Sequence, residues 1–474
     1  VIDAKLYDPG MAAGLLSEAL VLPCGLELPN RICRAAMTEG LSDSRNDPTA
    51  RHERLYAAAA QGGPGLLITG NAMVDRRHLE RARAVVIDAA TSAERLRRWA
   101  EACSPAPTLV QLSHPGRQVT RFVQRHPVAA STGPPVTLGI GPSLFRAPRA
   151  LTVDEIREVT WRFIDAARRV VQAGFAGVEI HAAHGYLLSS FLDGRLNRRS
   201  DAYGNGAAGR SRLLLEIVQG LRRELPGGAA IAVKLDAREG GEDDLALLAT
   251  QLEAAGADLL EVSGGSYESA AMLGLDGDGD ELRGDLESPF WAAAERVAAA
   301  TRVPVVLTGG FRTRAGAERA LALGVAAMVG VGRPLAVRPA LARAVVLGEA
   351  DALERPGPRL RGPRWLRRLA GAAAGAGWYR CQLARTGAGR GPSLRLPAWV
   401  AAADYVVVDA IWALRHRRAR MRMAEAVASP PAPPAPAEGL EGSPPRRARS
   451  YPGAPQGSKV LAPRSREEKV AAGS

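Results

Sequence analysis

A short β-branched or leucine-rich run recurs eight times in this chain, at residues 30–37, 65–71, 108–113, 177–184, 229–236, 258–264, 303–310 and 326–333. Apolar residues predominate in most of the runs, as a parallel strand covered on both faces requires. An amphipathic stretch follows each, over 49–61, 92–102, 152–173, 210–224, 243–255, 288–300, 314–323 and 339–347. This alternation specifies βα units, because parallel neighbours need a crossover and the crossover must cover the sheet. Helix punctuation agrees with it. Thr152 stands three residues before Glu155 in a capping-box arrangement and Gly174 closes the same segment, while Pro226-Gly227-Gly228, Gly256 and Gly324 end three others. Eight such units predict an α/β fold of the (β/α)8 TIM barrel type with insertions. The alternative is a doubly wound sheet, which calls for a G-x-G-x-x-G turn after its first strand, and none follows residues 30–37.

The barrel is expected to occupy 1–354. A Pro/Gly/Arg linker follows over 355–363, and the pattern after it predicts two or three helices, so that 355–428 is a helical C-terminal extension. Residues 429–474 hold runs such as Pro430-Pro431-Ala432-Pro433-Pro434 with almost no branched apolar side chains. A stretch like that cannot bury enough surface to offset its ordering entropy, and a disordered tail is expected. The charge divides at the same place. Residues 355–474 carry 20 Arg and 2 Lys against 7 acidic residues, so the chain's net +13 becomes −2 over 1–354. A basic surface that meets membrane or RNA is therefore a property of the extension and not of the barrel. Arg415, Arg417, Arg418, Arg420 and Arg422 after the apolar 406–414 stretch fit a helix lying on a membrane surface, although Asp404 and Asp409 favour packing on the barrel. The four cysteines are scattered without a C-x-x-C pair, which argues against a zinc or iron–sulfur site and suits a reducing cytoplasm. No apolar run reaches the roughly 18 residues a membrane span needs.

In such a barrel the working residues stand at the C-terminal ends of the strands. Strand four ends in the densest chemistry of the chain, Glu179-Ile180-His181-Ala182-Ala183-His184-Gly185-Tyr186. The H-x-x-H spacing admits zinc, but no third ligand or general-base glutamate accompanies it, so no metal is assigned. Lys234 sits inside the apolar fifth strand and needs an anion, either a ligand or a neighbour such as Glu179 or Asp236. Strands seven and eight end in Gly309-Gly310 and Gly332-Arg333, glycines that expose backbone N–H groups beside an arginine fork, which is the usual phosphate site of these barrels. One phosphate site without a second nucleotide fingerprint favours FMN over FAD or NAD as the resident cofactor. Asp276, Asp278, Asp280 and Glu287 approach a calcium loop, but Glu281 stands where that loop needs glycine.

The segment from Gly177 through Tyr186, with Phe191, Asn197, Arg199, Asp201, Tyr203 and Gly204, resembles the signature of the old yellow enzyme family of FMN-dependent ene-reductases. The resemblance covers roughly 20–346 and departs from the family pattern after Tyr203. It implies that Ala36, Met37 and Thr38 contact the flavin ring, that Gly70 and Asn71 let backbone approach it, and that Gln111 meets its pyrimidine edge. Lys234 would stand at its electron-rich edge, while Gly309, Gly310, Gly332 and Arg333 hold its phosphate. It implies further that His181 and His184 bind a substrate carbonyl and that Tyr186 supplies a proton. The expected reaction takes hydride from NADH or NADPH and reduces an enone-like small molecule in ping-pong order. A homo-oligomer is compatible with the resemblance. The alternatives are an NADH oxidase or dehydrogenase serving oxygen, quinone or nitro acceptors, and a basic-tailed binding protein tethered to membrane or RNA.

Overall fold

Strands β1 (Ile32–Arg34), β2 (Leu66–Ile68), β3 (Thr108–Ser113), β4 (Gly177–Ala182), β5 (Ala230–Asp236), β6 (Leu259–Ser263), β7 (Val305–Thr308) and β8 (Met328–Val331) lie parallel, each beside its sequence neighbour. Val329 to Val331 of β8 pair with Ile32 to Arg34 of β1, and the ring closes. This is the expected barrel. It is a computed structural model that describes residues 14–137, 144–237, 242–265, 287–354, 356–358 and 364–427. The acidic positions 276, 278 and 280 and the whole of 429–474 lie outside the described residues.

The barrel helices are α1 (Ala50–Gln61), α2 (Ala93–Ala102), α3 (Val153–Gln172), α4 (Leu187–Leu192), α5 (Gly206–Glu224), α6 (Glu242–Ala255), α7 (Trp291–Ala300), α8 (Arg314–Ala322), α9 (Arg333–Val337) and α10 (Leu341–Val346). Helix α3 shows how directly local sequence sets these bounds. Thr152 Oγ1 accepts from the Glu155 N–H while Glu155 reaches back to the Thr152 N–H, and Gly174 leaves the helix at φ 102°. A left-handed residue is strained for anything with a Cβ, so glycine stops the helix there.

Alternation along the strands sorts the interior into layers. Val178, Ile180 and Ala182 of β4 face the helices, as do Val233, Leu235, Leu260 and Val262. The opposite faces point into the barrel, where Cys33, Leu66, Ile68, Leu109, Ala230, Ala232, Leu259, Val306 and Met328 form an apolar floor. Two residues further along β3 to β7 the inward positions turn polar, giving Gln111, Glu179, Lys234, Glu261 and Thr308, while β1, β2 and β8 carry the small Ala35, Gly70 and Gly330. The pleat has a period of two, so this change of chemistry falls at one height around the ring.

The extension consists of α11 (Arg364–Gly387), α12 (Ala398–Ala403), a π-helical turn (Asp404–Val408) and α13 (Asp409–Ala426). It packs on the barrel, and the described residues all fall within one compact unit. Arg54 Nε donates to the Gly387 carbonyl at 2.8 Å, fastening α11 to α1. Arg81 stands over the Tyr405 ring at 3.6 Å and pairs with Asp409 at 3.2 Å. Ala413 joins Met73, Leu79, Val119 and Val123 in a small core of its own. The aspartates that break the apolar pattern of 406–414 are thus paired with barrel arginines.

Candidate active site

The site grows from the polar layer and from what lies just beyond it. Lys234 Nζ meets Glu261 Oε1 at 2.5 Å, and Gln111 Nε2 donates to Glu179 Oε2 at 2.6 Å. The partner of Lys234 is therefore Glu261 on the adjacent strand, not Asp236 or Glu179 as its own neighbourhood in sequence suggested; register places Lys234 directly opposite Glu261. Likewise the Gln111 amide donates to the wall of the barrel. Burial pushes Glu179 well above the usual carboxylate range, reinforced by Glu261 beside it. Burial alone would raise Glu261 as well, but Lys234 together with hydrogen bonds from Glu179 and Thr308 outweighs it and holds that carboxyl low. One proton shared between the two carboxyls thus resides on Glu179 and leaves a neutral layer, with Lys234 charged and Glu261 ionised.

One step nearer the mouth, β4 runs out at Ala182. His181 still points inward, its ring 5.1 Å from that of His184 and 4.7 Å from that of Tyr186, edge-on to both. His184 takes φ 62°, a left-handed conformation that costs a β-carbon residue about 1 kcal/mol or more, and Gly185 follows at 74°. That turn brings Tyr186 back over His181, where it is buried and begins α4. His184 Nε2 lies 3.1 Å from Ser263 Oγ, and the His184 backbone N–H donates to Asp236 Oδ2 at 3.2 Å. Burial, with Lys234 adding to it, pushes His184 down to about 3. Burial likewise holds His181 well below the usual range, with His184 and Lys234 contributing. Both imidazoles are neutral at pH 7 and can donate or accept according to tautomer.

The remaining candidates gather on the other side of the mouth. Ala36, Met37 and Thr38 are half-buried just past β1, and Thr38 Oγ1 donates to Asn71 Oδ1 at 3.0 Å. A Cβ on Gly70 would stand 2.4 Å from the Met37 carbonyl oxygen, so only glycine fits. A Cβ on Gly332 would meet Met37 Sδ at 3.5 Å, which joins the end of β8 to the end of β1. Gly309 and Gly310 leave β7 at φ 103° and 97°, and the Gly309 N–H reaches the Gly330 carbonyl of β8 at 3.4 Å. Gly332 caps α9 without any side-chain cap, and Arg333 opens that helix exposed to solvent. The two glycine-bearing strand ends are thus side by side. Gly310 has a second duty: a Cβ there would stand 2.4 Å from the Glu287 carbonyl, so its conformation is required by the 287–289 segment whatever binds nearby.

Several residues escaped the reading of the sequence. Glu261 was findable, since it interrupts an apolar strand just as Lys234 does. Asp236, expected as a possible partner of Lys234, instead accepts from the His184 backbone N–H. Ser263 gave no local signal. Nor did the network beneath Gly70, where Tyr56 and Glu39 hydrogen-bond each other and both accept from the Gly70 N–H at 2.9 Å. Asp75, His78 and His114 also come together, with one ligand atom from each within 4.8 Å of the others. Their spacing in sequence hid this. Both Asp75 oxygens already accept from Arg77, and Arg162 lies 3.3 Å away, so a cation would compete with two guanidinium groups. No third ligand gathers with His181 and His184 among the described residues.

The depressed imidazoles set an acid limit on stability. His52, His114 and His181 are all buried and held low. In the unfolded chain they bind protons below about pH 6.5, and in the folded chain they do not. Stability is therefore complete above that value and is lost as pH falls, by about 1 kcal/mol per histidine between pH 6.5 and 5.5. Glu179, raised by burial, acts in the opposite sense over the same interval. Three imidazoles less the offset from Glu179 give an expected net loss of about 2 kcal/mol, read as a lower urea midpoint at pH 5.5. A midpoint that rises on acidification would show the imidazoles are not buried and neutral.

A closed parallel barrel with a neutral polar layer, a histidine pair and tyrosine at its mouth, and glycine-bearing ends on β7 and β8 has the build of a flavin-dependent oxidoreductase. The chain belongs to the NADH:flavin oxidoreductase / NADH oxidase family, whose model matches residues 24–351. It is 37% identical over 386 residues to the NADH-dependent flavin oxidoreductase iliE of Hypocrea jecorina, covering 76% of this chain and 96% of that one. Among solved structures, the old yellow enzyme homologue from Zymomonas mobilis superposes with a TM-score of 0.61 at 26% identity, covering 74% of this chain and 98% of that chain. Morphinone reductase in complex with tetrahydroNAD gives 0.60 at 25%, with 72% and 93% covered. The protein is thus an enzyme, its cofactor is FMN and its reductant a reduced nicotinamide. No helix among the described residues is long and apolar enough to cross a membrane.

Proposed function

We propose that this enzyme reduces an activated alkene, an α,β-unsaturated carbonyl compound, with NADH or NADPH as hydride source and in ping-pong order. The observation that carries this reading is the cluster at the end of β4, where the neutral His184 imidazole and the Tyr186 phenol lie 5.1 and 4.7 Å, between ring centroids, from the neutral His181 imidazole. FMN, when bound, would supply the hydride-transfer chemistry that links the nicotinamide to the β-carbon of the alkene. The chain's own residues do the rest. His181 and His184 donate to the carbonyl oxygen, drawing electron density from the β-carbon and stabilising the negative charge that develops on oxygen. Ser263 at 3.1 Å from His184 Nε2, and the left-handed turn behind it, hold that ring in position. Tyr186 then gives its phenolic proton to the α-carbon; a phenol is neutral at pH 7 and acidic enough for an enolate-like centre. Nicotinamide and alkene would use one mouth in succession, which supports the ping-pong order.

Ala36, Met37, Thr38, Gly70 and Asn71 would hold the ring along one wall, with Gly309, Gly310, Gly332 and Arg333 around the phosphate. Gln111 and Lys234 bear on it through their shared layer with Glu179 and Glu261. Arg333→Ala removes an exposed guanidinium without touching the core, and FMN is expected to bind roughly 10–100-fold more weakly. Flavin absorbance after desalting, with circular dichroism as the folding control, measures it. Full retention would place the phosphate elsewhere. Gly310→Asp is a poorer probe, because the clash with the Glu287 carbonyl confounds any flavin loss.

The direct test of the reading supplies NADH and an enone anaerobically and follows loss of the conjugated absorbance. Turnover supports an ene-reductase. Rapid NADH consumption only in air or with a quinone or nitro acceptor would transfer the assignment to the oxidase side of the family.

A further inference from the structure

The helical extension buries one face and leaves the other bare. Asp409, Ala413 and Arg420 of α13 are buried, and Arg420 donates to the Val123 carbonyl at 2.8 Å. On the far side Trp399, Val407, Ile411 and Leu414 are 71%, 53%, 44% and 58% exposed. Eleven large apolar side chains are exposed among the described residues, and seven of them fall between Trp399 and Met421. That is a patch, and a patch needs an occupant where scattered apolar residues do not. Val407, Ile411 and Leu414 stand at i, i+4 and i+7, which makes them one stripe, and Met421 repeats the position seven residues on.

The stripe does not end in neutral surface. Arg415, Arg418 and Arg422 lie four, seven and eleven residues after Ile411, on the same face and exposed. None of them forms an ion pair among the described residues, whereas the aspartates of this segment turn inward to Arg81, Arg83 and Arg380. The occupant must therefore be apolar where it meets the valines and anionic where it meets the arginines.

We infer that this face docks on an anionic lipid bilayer. Aliphatic side chains enter the headgroup–acyl boundary, Trp399 sits at headgroup level, and the arginines meet lipid phosphates and carboxylates with their stems along the apolar surface. A second copy of the chain fits less well, because a two-fold contact would bring identical rows of arginine together. RNA fits less well too, since bases stack on aromatic rings and the stripe is aliphatic apart from Trp399. The opposite, buried face of α13 rests through Ala413 on the loops that follow β2 and β3, at the same end of the barrel as the candidate site.

The test is flotation of the full flavin-loaded chain with phosphatidylcholine vesicles, with and without phosphatidylserine. Binding is expected only with phosphatidylserine, and weaker in high salt. Three arginines near such a surface contribute about fivefold each, so Arg415→Gln/Arg418→Gln/Arg422→Gln should reduce binding on the order of 100-fold. Ile411→Ser/Leu414→Ser, which leaves every charge in place, should also weaken it, and flavin content and circular dichroism of both variants should match the parent. Failure to float with phosphatidylserine overturns the proposal. So does undiminished binding of both variants, which would assign the contact to arginines elsewhere. A concentration-dependent dimer that Ile411→Ser/Leu414→Ser dissolves would give the face to a second copy, and capture of RNA in preference to vesicles would give it to nucleic acid; either result overturns the lipid assignment.

Discussion

Tyr186→Phe is expected to leave reduction of the flavin by NADH close to the parent rate and to slow alkene reduction by roughly 10²–10⁴-fold, the usual worth of a positioned general acid. The substitution removes one oxygen. The edge-on packing against His181 at 4.7 Å is made by the ring and survives the substitution. Rapid-mixing absorbance separates the two half-reactions on one sample. Replacing His181 and His184 together should act differently, weakening the binding of carbonyl substrates and of phenolate inhibitors before any proton is transferred. Should Tyr186→Phe reduce an enone as fast as the parent, the proton comes from water or another group, and the role proposed for Tyr186 fails.

The second large effect concerns the layer under the site. Lys234→Met removes the only cation paired with Glu261 in that layer among the described residues, and it leaves two carboxyls buried against each other. Breaking a buried pair in this way costs about 3–5 kcal/mol, part of which Glu261 escapes by taking up a proton. Lys234→Met/Glu261→Gln removes both charges and should recover most of the loss. Urea unfolding of the parent, the two single variants and the double variant gives the coupling energy directly. If the double variant is as unstable as the sum of the singles, Lys234 and Glu261 are not a functional pair and the neutral layer has to be redrawn. Glu261 is expected to titrate higher in Lys234→Met than in the parent, so that variant should lose stability as pH rises through the new value.

The two experiments probe parts of the site that differed in how well they could be read. His181, His184 and Tyr186 lie within six residues of one another, and a strand followed by a tight turn leaves three such side chains few directions to take. Their convergence is a local event. The barrel was legible for a related reason: apolar runs with period-two faces, separated by capped amphipathic helices, leave parallel closure as the way to bury both faces. The ends of β1 and β2 were less so. Residues 30–37 and 65–71 read as strands throughout, yet only Ile32–Arg34 and Leu66–Ile68 are in the ladder. Beyond them Gly70 lies against the Met37 carbonyl and its N–H is held by Glu39 and Tyr56, contacts that come from a loop and a helix.

What the sequence determined by itself was the period, the punctuation and the residue types at each strand end, because these act over one or two turns of backbone. The partner of Lys234, which barrel arginines meet Asp404 and Asp409, and the bare stripe from Trp399 to Met421 were decided only by the tertiary structure. Each depends on register between strands or on which face of a helix is already covered, and neither is a property of the segment in which the residue lies.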